Sequence, residues 1–298
     1  MDLKKVHRVF FYVNVLLAMS LYLQPETIKD AVEALSETEL TILAGGTDFY
    51  PARVGFPLDD NIIDISRIQE ISGITEFNDC FEIGALTRWS EVIESPLPDY
   101  FDGLKLSAKE IGGIQIQNAG TVIGNICNAS PAADGMPPLL TLNAEILLAS
   151  KRGKHVMPIS KFIMGNRKIR LAKDEMVVGI RISKPLQPTK STFLKLGARK
   201  YLVISIVMVA ALLEREGKNI CAARVAVGSC SSVAKRLHVL ERALAGKPFS
   251  PGISATVTKD HLNLLAPIDD IRGTSGYRND TALTLVQRAL ETLVVPHD

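Results

Sequence analysis

Short strand-like apolar runs interleave with amphipathic helical stretches over the first 185 residues, and longer β-prone runs followed by two helices fill the remainder, which predicts an α+β fold. The chain has 298 residues, 47% of them hydrophobic, enough to bury a sizeable core. At about 150 residues per domain, one or two domains are expected. Pro185 and Pro188 then mark a boundary between units 19–185 and 186–298.

Residues 1–18 are read as an extension outside the fold. Lys4, Lys5, His7 and Arg8 precede an uncharged apolar run from Val9 to Ala18, the outline of a targeting segment but too short to span a bilayer. The alternative start is Met19, because a strand and a capped helix follow at once. Pro25-Glu26-Thr27 opens that helix, with Ile28, Ala31, Val32 and Leu35 on one face. Thr41–Leu43, Asn61–Ile65 and Cys80–Gly84 read as strands, and helical stretches surround Trp89 to Ile93 and Leu104 to Ile111. Ala144–Ala149 and Met176–Ile182 close the first unit as strands.

In the second unit Thr192–Leu196, Ile204–Glu214 and Ala222–Gly228 read as strands covered on one face by helices. One such helix is expected around Ala234 to Ala245, ended by Gly246 and Pro248. The other is expected from about Asp280 to Val294, with Leu283, Val286, Leu290 and Leu293 on one stripe and Asn279 or Asp280 as its cap.

Charge and cysteine usage exclude several functions. Thirty-four Lys+Arg against 32 Asp+Glu leave a formal +2, no footprint for nucleic acid. Cys80, Cys127, Cys221 and Cys230 are far apart with no C-x-x-C pair, which argues against a cluster or zinc site and fits a reducing, cytoplasmic setting. The five histidines have no metal-ligand spacing, and Ser229 and Ser231 have no triad pattern beside them. Neither a metal site nor a catalytic acid, base or nucleophile is assigned.

Two glycine-rich segments stand out. Leu43-Ala44-Gly45-Gly46-Thr47-Asp48 ends a strand with two residues lacking Cβ, where the backbone can turn sharply and present N–H groups to an anion. A plain turn explains the same residues, and the spacing is not the G-x-G-x-x-G of the usual dinucleotide fold. Residues 112–134 carry four glycines, three asparagines and two glutamines, polar groups that need either one another or a polar ligand. Lys195-Leu-Gly197-Ala-Arg199 and 267–278, with Asp269, Asp270, Arg272 and Arg278, place opposite charges next to glycine, as a network locking a loop would.

In this order and at these separations, the four segments resemble the FAD-binding medium subunit of the molybdenum hydroxylases, the family of xanthine dehydrogenase and aerobic carbon monoxide dehydrogenase. Ala44-Gly-Gly-Thr-Asp48 resembles the family's first flavin loop, and Gln117-Asn118-Ala-Gly120-Thr121-Val-Ile-Gly124-Asn125 through Asp134 the second. Lys195-x-Gly-x-Arg199 and Asp269 to Arg278 resemble signatures of its C-terminal domain. The resemblance covers nearly the whole chain from Ser20 onward.

It implies a vanillyl-alcohol-oxidase (PCMH)-type FAD-binding domain of two α/β subdomains, about 19–74 and 75–185, followed by a C-terminal α+β domain at 186–298. Leu43, Ala44, Gly45, Gly46, Thr47, Asp48 and Phe49 would then lie along the flavin diphosphate and ribityl chain. Thr121, Gly124, Asn125 and Asp134 would hold phosphate and ribityl or ring oxygens, and Val178 and Lys195 would touch the flavin. On this basis Gly45→Val should abolish flavin retention by filling the diphosphate's path, and Lys195→Ala should alter flavin reactivity more than folding. One departure is that two glycines usually follow Thr-x in the family and Ile123-Gly124 stands here, so the second loop is expected to sit farther from the diphosphate.

The implied role is electron transfer. A molybdenum-binding large subunit and a [2Fe–2S] small subunit, the latter carrying two clusters, would deliver electrons to FAD on this chain, and FAD would pass them to NAD⁺, oxygen or a quinone-linked carrier, in a dimer of heterotrimers with no membrane span. The extra cluster insert of relatives that reduce aromatic thioesters is not found. A self-contained oxidoreductase of the same flavin fold and a scaffold without flavin are the alternatives.

Overall fold

A computed structural model describes residues 20–57 and 59–295; the extension at 1–18 lies outside them. The first lobe comprises β1 (Tyr22–Leu23), α1 (Ile28–Glu37), β2 (Thr41–Leu43) and β3 (Ile62–Asp64). The three strands form a parallel sheet in the order β1-β3-β2, and α1 turns its apolar Ala31, Val32 and Leu35 into the core. Thr27 caps α1, its hydroxyl accepting from Asp30 N at 3.1 Å.

The second lobe comprises β4 (Ile74–Glu76), β5 (Cys80–Gly84), α2 (Trp89–Glu94), α3 (Asp102–Glu110), α4 (Ile114–Ala119), α5 (Val122–Asn128) and α6 (Met136–Thr141). It continues with β6 (Glu145–Ser150), β7 (Gly153–Pro158), α7 (Ile159–Phe162), the small hairpin β8 (Ile163–Gly165) and β9 (Lys168–Ile169), and β10 (Glu175–Ser183). Its main sheet is antiparallel in the order β4-β5-β10-β6-β7, so the last strand made sits at the centre. A bulge leaves Val178 outside the β10–β6 register. One continuous core joins both lobes, with Ile63, Ile83, Trp89, Phe101, Ile126 and Leu148 all at most 1% exposed.

The C-terminal part comprises β11 (Thr189–Leu196), β12 (Val207–Glu216), β13 (Asn219–Gly228), β14 (Lys235–Arg236), α8 (His238–Leu244) and α9 (Ser275–Val294). Its antiparallel sheet runs β11-β12-β13-β14. Both faces of this sheet are covered, where the sequence suggested one. Val207, Val209, Ala211 and Leu213 point into a core shared with α8 and α9, while Met208, Ala210 and Leu212 point the other way, toward α3 and α6. That two-sided burial is why β12 reads as an unbroken apolar run rather than an alternation. Gly103 makes the close approach between domains possible: its N–H donates to Ser191 Oγ at 2.8 Å, and a Cβ there would stand 3.0 Å from Thr192 O.

Three boundaries differ from the sequence reading. The final helix starts at Ser275, capped by Thr274, whose hydroxyl accepts from Tyr277 N at 3.2 Å, so Asn279 and Asp280 lie inside it. The residues before α8 form edge strand β14 instead of a first helical turn, because Lys235 and Arg236 pair with Val227 and Ala226. The glycine- and asparagine-rich stretch 112–134 folds as α4 and α5 and the turn into α6, not as an open loop.

Candidate functional site

The first glycine segment leaves β2 and turns into a helical bend in which Tyr50 N–H donates to Gly46 O at 3.2 Å and Ala52 N–H to Asp48 O at 3.3 Å. Six successive N–H groups, Ala44 to Phe49, have no hydrogen-bond acceptor among the described residues. They are the donors a bound anion would satisfy. Gly46 takes a left-handed φ of +69°, and a Cβ on it would meet the Tyr50 ring at 2.7 Å.

Gly45 is also constrained by the second glycine segment. A Cβ there would lie 2.1 Å from Ala119 O and 3.0 Å from Gly120 Cα, so it is the second segment's backbone, not open space, that excludes a side chain. Across the same contact, a Cβ on Gly120 would stand 3.2 Å from Thr47 Oγ1. The two glycine segments, more than seventy residues apart in sequence, thus form one interlocked wall.

The second segment keeps more of its donors occupied. Val122 N–H donates to Thr87 O at 3.0 Å, Trp89 N–H to Gly120 O at 3.2 Å, and Thr121 caps α5 by accepting from Gly124 N at 3.0 Å. The Ile123 side chain is 4% exposed within the core, so the residue replacing the family's glycine turns away from Gly124, which is exposed. Asn125 Oδ1 is buried with no hydrogen-bond partner among the described residues, a further polar group with capacity for a ligand.

Arg167, in the turn between β8 and β9, ties both segments together. Its guanidinium donates to Asp48 Oδ2 at 2.7 Å and to Asn128 Oδ1, and its own N–H donates to Ala129 O at 3.0 Å. It holds a left-handed φ of +56°. Nothing in the local sequence pattern singles it out, since a Gly-Asn-Arg turn signals only a hairpin.

Asp134 and Lys195 meet across the domain boundary. Lys195 Nζ lies 2.8 Å from Asp134 Oδ2 and donates to Glu110 O at 3.2 Å, and Ser205 Oγ donates to the other carboxylate oxygen. Their side chains are 5% and 9% exposed. Burial pushes the Asp134 carboxyl above its usual range, against the pull of the Lys195 cation and the Ser205 hydroxyl. Ser205 and the Glu110 carbonyl carry no motif and were not legible beforehand. Arg199, by contrast, donates to Leu202 O, and Arg278 pairs with Asp270 at 2.7 Å while donating to Ile206 O and Ser229 O, a network that anchors the start of α9. Val178 O accepts from Ala85 N at 3.0 Å, and the residue also lines a cavity of about 290 Å³ with Ile28, Ile71 and Leu147.

Among the described residues no His, Cys, Asp or Glu group of three or more is placed to hold a metal ion, and no helix is long and apolar enough to cross a membrane. A parallel β lobe and an antiparallel lobe meet at glycine turns whose N–H groups lack acceptors among the described residues, the arrangement of a protein that holds an anionic cofactor. Residues 17–185 match the FAD binding domain in molybdopterin dehydrogenase, and residues 192–293 match the CO dehydrogenase flavoprotein C-terminal domain. The chain belongs to this family of FAD-binding oxidoreductase subunits. It is 28% identical to the carbon monoxide dehydrogenase medium chain of Hydrogenophaga pseudoflava, covering 90% of this chain and 95% of that one. It is 30% identical to the caffeine dehydrogenase subunit beta of Pseudomonas, covering 90% and 92%. Among solved structures, the carbon monoxide dehydrogenase of Hydrogenophaga pseudoflava superposes with a TM-score of 0.83 at 28% identity over 92% of this chain and 96% of that chain.

Proposed function

We propose that this chain is the electron-transfer subunit of a molybdenum-containing hydroxylase, taking electrons from [2Fe–2S] centres on a small partner subunit and passing them to NAD⁺ or another acceptor. A large partner subunit would hold the molybdopterin cofactor, in a dimer of heterotrimers, and the four free thiols accord with a cytoplasmic setting. The observation that carries the reading is the run of unpaired N–H groups from Ala44 to Phe49 set against the Ala119–Thr121 turn. A near-neutral protein can hold a diphosphate this way, because main-chain dipoles supply the positive potential.

Leu43 to Phe49 are assigned to the diphosphate and its sugar, with Thr121, Gly124 and Asn125 on the facing turn. Asp134 and Lys195 are assigned to the ring side, where the C-terminal domain closes, and Val178 to the edge reached from β10. Bound FAD supplies a carrier that exchanges electrons singly with one partner and in pairs with another. This chain's residues bind and orient it. The buried Asp134–Lys195 pair fixes a carboxylate and a cation at the closing face, and the turns keep water off the diphosphate.

The test is co-expression with companion subunits, followed by flavin, iron and molybdenum analysis of what copurifies. The expected result is one FAD per copy of this chain in an iron- and molybdenum-containing complex, with substrate-dependent reduction of an acceptor that the isolated chain does not perform. A well-folded complex lacking flavin would refute the assignment, and substrate turnover by this chain alone would refute the subunit role.

A further inference from the structure

Far from the glycine wall, the linker between the domains borders a second cavity of about 560 Å³. It lies at the opposite end of β11 from Lys195: Lys190, five residues earlier on the strand, lines it, about 17 Å away at the rise of an extended chain. Phe81 and Phe249 supply aromatic walls and Pro185 and Pro188 an apolar rim.

The charge around the cavity is unevenly used. Lys184 pairs with Glu76 at 2.6 Å and stands 5.2 Å above the Phe81 ring. Lys190 and Arg215 make no ion pair within 4 Å among the described residues, and Arg215 sits 5.5 Å from the Phe249 ring. Against these three cations stand Glu76 and Asp99, which leaves a net positive lining. Flat apolar walls with a few convergent polar groups are the usual form of a small-molecule site, and the volume falls in that range.

We propose that this domain-junction cavity binds a small aromatic carboxylate, with the ring against Phe81 and Phe249 and the carboxylate facing Lys190 and Arg215. A ring without an anion leaves the cations unused, and an anion without a ring leaves the aromatic walls wet. Because the ligand bridges β5, the linker and β11, its occupancy braces the two domains against each other. The inference is independent of what the glycine wall holds.

The experiment titrates the full-length protein, with its flavin content measured in each sample, against benzoate by ligand-observed NMR, with acetate and benzyl alcohol as controls. The expected result is saturable benzoate binding, much weaker binding of both controls, and roughly tenfold weaker benzoate binding in both Lys190→Gln and Arg215→Gln. Lys190 and Arg215 are exposed, so both variants keep the fold. No saturation of wild type below about 10 mM benzoate, acetate or benzyl alcohol binding as well as benzoate, or undiminished affinity in both variants would overturn the proposal.

Discussion

Replacing Lys195 with methionine keeps the length of the side chain while removing a charge that lies 2.8 Å from Asp134 at 5% side-chain exposure. At an effective dielectric constant of about 20 the gross attraction at that separation is about 6 kcal/mol, much of it offset by the desolvation of both groups. Removing one partner forfeits the attraction and leaves the other charge buried, which costs about 3–5 kcal/mol. Burial already raises the Asp134 carboxyl above its ordinary 3.8, and losing the cation raises it further. For an acid raised in the folded state, the penalty is present at neutral pH and relieved as pH falls through that raised value. Lys195→Met should therefore be destabilised by about 3 kcal/mol at pH 8 and by clearly less at pH 5. Urea unfolding followed by the fluorescence of Trp89, the sole tryptophan and 1% exposed, measures this directly. Adding Asp134→Asn should recover part of the loss. A variant within about 0.5 kcal/mol of wild type at pH 8, or a loss independent of pH, would refute the buried-pair argument. A stability loss of that size would count against the expectation from resemblance, in which Lys195 affects flavin reactivity more than folding.

Gly45→Ala should lower both flavin content and melting temperature, since its Cβ meets Ala119 O at 2.1 Å; Gly276→Ala, with nothing within 4 Å, should instead gain roughly 0.5 kcal/mol, and equal behaviour of the two would sink the interlock. Glu241 accepts from Val225 N at 2.9 Å and pairs with Arg236 and His238; burial opposes its ionisation, but these partners prevail and hold its carboxyl below the ordinary 4.5. Its contribution is complete above that value and lost as pH falls below it, so Glu241→Gln should cost about 2 kcal/mol at pH 7 and little at pH 3, measured by denaturant titration.

The elements with strong periodicity were legible. Ala31, Val32 and Leu35 recur at helical spacing and lie where α1 meets the core, and Thr41–Leu43 runs into its glycine turn as a strand. Residues 112–134 were opaque because their glycines and amides suggest loop, while the helices there are held by contacts from elsewhere: Gln117 Nε2 donates to Lys109 O and Ile111 O, and Thr121 forms an isolated bridge with Arg88. At the site, the glycine segments announced themselves by composition. Arg167, Ser205 and the Glu110 carbonyl did not, since each acts through a partner 39 or more residues away. At Gly45 a sequence shows that a Cβ is missing and not which neighbour forbids it, here the carbonyl of Ala119.

The placement of β10 between β5 and β6 has a consequence for synthesis. A nascent chain that has not yet reached Glu175 carries two half-finished sheets, each ending in an unzipped edge of buried-type residues such as Phe81, Ile83, Ile146 and Leu148. Only when the nine-residue ribbon Glu175–Ser183 slides between them do both edges disappear at once. Ribosomal stalling or proteolysis just upstream therefore yields sticky fragments, not a smaller functional module, and the cell must protect the growing polypeptide until that keystone arrives.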